Sequence, residues 1–232
     1  MSEDATDQET APTSKRACGL IVDFDFAMIN GISALEKACA KALEGVGGKS
    51  DRCTFPRQLF GHKVNTAFRA IFGADSKVEA AIAFIAADMD HAAETAPVDE
   101  AILAICKSAL EDNVQLIFVT MRSQNIVEAR IDALGLEGVA VLKCDRCDRI
   151  GEYPAEIWNR AARTLKLNAR FCTAIAASAA SVRHAMMDGM RTVAFTNPTI
   201  SFQDFSGVDF TAGSVPAAET VDTVLTLINS RA

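Results

Sequence analysis

Residues 20–30 read LIVDFDFAMIN, an apolar run that ends in two acids, Asp23 and Asp25, with Phe24 between them. The run is short, continuous and unalternated, the pattern of a strand covered on both faces. An ionised carboxylate withdrawn from water without a partner is costly. Acids at the tip of such a strand therefore predict the rim of a cleft where negative charge is needed. Two residues apart on extended backbone, their side chains point to one side. One is then placed to attack an electrophile and the other to move its protons.

Four further segments share the buried-strand pattern of residues 18–24: VQLIFVT at 114–120, GVAVLKC at 138–144, RFCTAIAA at 170–177 and RTVAFT at 191–196. The alanines of RFCTAIAA also suit a helix. Helical periodicity fills the intervals, in DEAILAICKSALEDN, NIVEARIDALGL, PAEIWNRAARTLKL and ASVRHAMMDGM, the last with Gly189 as its stop. Strand and helix in alternation predict an open parallel α/β sheet. Ligands of such sheets sit beyond the carboxyl ends of the strands, where Asp23 and Asp25 fall.

The interval between the first two strands is far longer than a crossover needs. Residues 32–96 are nearly all helix-patterned, punctuated by glycines and by Asp51-Arg52-Cys53-Thr54. They predict an inserted helical cap domain. The core domain is then 17–31 together with 97–232. Residues 1–16 are polar, lack the apolar run of a signal peptide and read as a disordered tail.

Half the residues are hydrophobic, enough for a sizeable core, and the net charge of −7 argues against nucleic acid as a partner. No apolar run is long enough to span a membrane, so a soluble protein is expected. Seven scattered cysteines suit reduced thiols and a cytoplasmic location. Cys144 and Cys147 form a CxxC, but no second CxxC or histidine pair completes a zinc site, and they read as ordinary thiols.

With Asp23-Phe24-Asp25 at the tip of the first strand and a helical insertion directly behind it, the chain resembles the haloacid dehalogenase (HAD) superfamily of phosphohydrolases. The likeness is to its helical-cap branch, that of phosphoglycolate phosphatase and β-phosphoglucomutase, and covers most of residues 17–232. The resemblance implies a Rossmann-like, doubly wound sheet in the order 3-2-1-4-5 under the cap. It also implies Asp23 as nucleophile, Asp25 as general acid and base, and both as magnesium ligands. Thr120, at the end of VQLIFVT, would hydrogen-bond the phosphoryl oxygens, with Met121 beside it.

Two family motifs depart from the pattern. Glu152, in Gly151-Glu152-Tyr153-Pro154, stands where a phosphate-neutralising lysine is usual. Ala176 and Ala177 stand where the fourth strand usually ends in metal-binding acids, although Ser178 and Asp188-Gly189-Met190 keep the frame. Magnesium favours several oxygen ligands, so Mg2+ binding is expected to be weak or absent. The expected function is that of an impaired phosphatase, a pseudoenzyme that acts by binding a small phosphorylated metabolite or a protein partner. The alternative is a working magnesium-dependent phosphomonoesterase with an aspartyl-phosphate at Asp23, the missing cation coming from Lys143, Arg149 or the cap residues His62 and Lys63. His91 and His184 are expected to be structural or solvated.

Overall fold

The computed structural model describes residues 17–45, 59–72, 75–145, 147–213 and 215–230. The expected tail at 1–16 and the punctuation at 51–54 lie outside the described residues. The sheet contains β1 (Gly19–Asp23), β2 (Gln115–Thr120), β3 (Ala140–Lys143), β4 (Cys172–Ala176), β5 (Arg191–Phe195) and β6 (Phe210–Ala212). Its order is β3-β2-β1-β4-β5-β6, with every pairing parallel. The expected five-strand order is therefore present, and β6 extends it by one edge strand. The alanine-rich segment is a strand, fully buried along β4.

Side-chain alternation along the strands sorts the core into two layers. Leu20, Val22, Phe118, Ile175 and Val193 face one apolar cluster, shared with α4 (Glu100–Glu111), α5 (Gln124–Ala133) and α8 (Ala217–Asn229). Ile21, Ile117, Val119, Ala174 and Ala194 face the other, shared with α6 (Glu156–Thr164) and α7 (Ala179–Met187). Such cover on both faces is why the strands read as unbroken apolar runs. Helix α4 starts where Asp99 accepts from the amides of Ala101 and Ile102, each at 3.0 Å.

Three helices intervene between β1 and β2: α1 (Gly31–Gly45), α2 (Val64–Phe72) and α3 (Asp75–Thr95). The chain leaves and returns at one place, marked by an antiparallel bridge between Ile29 and Val98. These helices sit over the carboxyl ends of the sheet. Phe60 and Lys63 bridge to Ile150 and Arg149 after β3, and Asp90 of α3 meets Arg122 and Ser123 after β2. The apolar cluster of the sheet continues without a break into this layer, through Phe26, Leu35, Phe60, Phe68, Ile85 and Met89. Among the described residues, no helix is long and apolar enough to cross a membrane.

Candidate functional site

The strand ends at Asp23, and the chain then closes into a tight helical turn, Phe24–Met28. Asp25 thus lies in a turn and not on extended backbone, yet its carboxylate still meets that of Asp23. Asp23 caps the turn by accepting from the Phe26 amide at 3.0 Å. Gly31 is obligatory behind it, because a Cβ there would collide with the Asp25 carbonyl oxygen.

The open cleft rim expected for these acids is not found. Asp23 is 1% exposed, Asp25 and Thr120 are fully buried. Thr120 Oγ1 donates to Asp25 Oδ1 at 2.6 Å, and the Met121 amide donates to Asp25 Oδ2 at 2.7 Å. The Ala177 amide approaches Asp23 Oδ2 at 3.4 Å. Asp23, Asp25, Thr120 and Met121 are therefore gathered together, with Ala177 beside them.

What closes the site is Tyr153, which sequence reasoning passed over. Its hydroxyl lies 3.1 Å from Asp23 Oδ1, 2.9 Å from Asp25 Oδ2 and 3.0 Å from the Val119 carbonyl. The ring is 1% exposed and meets Trp158 edge to face at 6.0 Å. Its backbone is gripped as well, the amide donating to Ser181 Oγ at 3.2 Å and the carbonyl 3.1 Å from His184 Nδ1. Tyr153 is the single tyrosine of the chain, and a buried tyrosine hydroxyl needs a partner. That was the available signal.

A phenol donates one hydrogen. Three acceptors crowd around this one, so a proton on one carboxyl relieves the arrangement. Burial foremost, and then the charge of Asp25, push Asp23 up from the ordinary 3.8 to about 7, against the hydrogen bonds from Phe26, Ala177 and Tyr153. Burial and the two carboxylates also hold the Tyr153 phenol well above its usual range.

The other expected ligand-binding residues stand elsewhere. Glu152 does not flank the carboxylates: its Oε1 lies against Gly61 in the loop before α2. Arg149 spends its guanidinium on the Gly61 carbonyl. Lys143 is exposed at the end of the edge strand β3, and His62 and Lys63 are exposed on the cap. Among the described residues, none of these five makes a hydrogen bond to Asp23 or Asp25, and no cation contributes to the Asp23 shift.

Magnesium is the cation implied by the resemblance, and the donors present do not fit it. Among the described residues two carboxylates converge, their oxygens already accept from Tyr153, Thr120 and three backbone amides, and Asp23 is pushed up to about 7. Ala176 and Ala177 add no oxygen ligand from their side chains. Among the described residues, no group of three or more His, Cys, Asp and Glu side chains is placed to hold a metal ion.

Between cap and core, beside this closed centre, lies a separate cavity of about 220 Å³. Phe26, Leu35, Val64, Phe68, Ile82 and Met89 supply much of its wall, and Arg122, Cys144, Asp145 and Cys147 also line it. Neither Asp23 nor Asp25 reaches it.

No protein-family model matches the sequence, and no curated protein matches it. Solved structures do match the fold. A haloacid dehalogenase-like hydrolase from Streptococcus pneumoniae aligns with a TM-score of 0.68 at 13% identity, over 90% of this chain and 98% of that one. CbbY from Rhodobacter sphaeroides, solved with phosphate, gives 0.67 at 14% identity over 85% and 94%. A β-phosphoglucomutase from Clostridium difficile gives 0.63 at 12% identity over 91% and 100%. The fold is that of HAD-like hydrolases.

Proposed function

We propose that this chain is a HAD-fold protein whose phosphoryl-transfer centre is shut and which acts by binding, with little or no phosphatase activity. One observation carries the reading: the Tyr153 hydroxyl bridges both carboxylates where a phosphoryl group and its counterion would have to enter. A dianion approaches an ionised aspartate only when positive charge offsets the repulsion. Among the described residues Asp23 has no cationic partner, and it is pushed up to about 7 and closed to water. The departures at Glu152, Ala176 and Ala177 support the same reading.

The partner is a small molecule held between cap and core, in a reducing cytoplasmic setting. The test is hydrolysis of a panel of sugar phosphates and phosphoglycolate with magnesium, by wild type and Asp23→Asn. The expected result is turnover far below the usual enzyme range of about 1–10³ s⁻¹, unchanged by the substitution. Turnover within that range, lost in Asp23→Asn, would overturn the reading.

A further inference from the structure

We propose that the cavity between cap and core binds a small monoanionic carboxylate with an apolar body, its head group held by Arg122. The proposal rests on the reading of the protein as a binder and names what it binds. The cavity takes its walls from α1, α2 and α3 on the cap side and from the loops after β2 and β3 on the core side. Its volume is about 220 Å³. Phe26, Leu35, Val64, Phe68, Ile82, Ile85, Met89 and Met121 give it a surface on which a hydrocarbon is better placed than water.

Arg122 supplies the polar requirement. Its side chain is 15% exposed, and its Nε–H is buried without an acceptor among the described residues. Its nearest carboxylate, Asp90, stands 3.8 Å from Nη1, within ion-pair range but too far for a hydrogen bond. Asp90 also takes the Ser123 hydroxyl at 3.4 Å. Arg122 lines the cavity, and the planar fork of arginine matches a carboxylate. The charge of the ligand follows from the neighbours. Among the described residues, one cation faces two acids, with Asp90 beside Arg122 and Asp145 on the wall, so a phosphate dianion is disfavoured and a monoanion is preferred.

Octanoate is the probe. Calorimetric titration of the full chain is expected to give saturable binding with a dissociation constant on the order of 0.1 mM, with octan-1-ol and octyl phosphate both weaker. Arg122→Gln should weaken octanoate by about tenfold or more while the melting curve stays that of wild type. Ala86→Trp, at an exposed position on the rim, should abolish binding with Arg122 intact. This second variant keeps the test sharp if Arg122→Gln folds poorly. Absence of saturation, octanol binding as tightly as octanoate, tighter binding of octyl phosphate, or binding indifferent to Ala86→Trp would each overturn the proposal. Phosphatase turnover abolished by Asp23→Asn would overturn only the non-hydrolytic reading, because neither aspartate lines this cavity.

Discussion

Tyr153 Oη stands 2.9 Å from Asp25 Oδ2, and the same oxygen is 3.1 Å from Asp23 Oδ1, so one phenolic hydrogen serves two carboxylates sealed from water. Removing that donor leaves both acids short of a partner in a low-dielectric setting. Tyr153→Phe is expected to cost about 2 kcal/mol of stability, more at pH 8 than at pH 5. Urea unfolding at the two pH values reads this directly. An unchanged midpoint at both would mean that the hydroxyl does not hold the carboxylates.

The raised Asp23 gives a pH dependence of definite sign. Between its ordinary 3.8 and about 7, the folded chain keeps a proton that the unfolded chain releases. The stability from this group is thus complete below pH about 4, declines as pH rises, and is gone above pH about 7. The decline is on the order of a few kcal/mol. Asn is isosteric with the protonated acid and does not titrate, so Asp23→Asn should flatten the slope between pH 5 and pH 8. A wild-type stability that rises over that interval would contradict the assignment.

Restoring family acids has a different outcome here than the sequence alone predicts. The Ala177 amide is 3.4 Å from Asp23, so Ala177→Asp adds a third carboxylate to a closed site. It should destabilise the protein by about 3 kcal/mol in the absence of metal. Magnesium binding should emerge only when Tyr153→Ala is combined with Ala177→Asp. Calorimetric magnesium titration of the single and double variants decides. Binding by Ala177→Asp alone would show that Tyr153 is no barrier.

Gly31→Ala tests the turn that carries Asp25. The added methyl would collide with the Asp25 carbonyl, so either the turn or the start of α1 must shift. A loss of about 3 kcal/mol is expected, read as a lower midpoint in denaturant. Near-neutral behaviour would indicate that the turn is softer than its burial suggests.

The sheet was legible because β1, β2, β4 and β5 are buried on both faces and so appear as uninterrupted apolar runs. Strand β6 was not, since Phe210, Thr211 and Ala212 are too few to establish a period and lie on the edge. Among the site residues, Asp23, Asp25 and Thr120 were readable from position at strand ends. Tyr153 was hidden because the motif frame drew attention to Glu152, whose side chain turns to the cap. Which of two adjacent residues faces inward depends on the local path of a loop, and no hydrophobic period records that path. The burial of the acids was equally invisible, because it is produced by Tyr153 from 128 residues further along the chain than Asp25.

The apolar cluster that runs from the sheet into α1, α2 and α3 joins the inserted helices to the core through shared side chains such as Phe26 and Phe60, whose rings meet at 5.6 Å. Two layers welded by a common hydrophobic interior lose their packing together, since neither can open without exposing the other's buried surface. The insertion is therefore expected to act as a fixed roof instead of a swinging lid, with heating melting roof and floor in one cooperative transition.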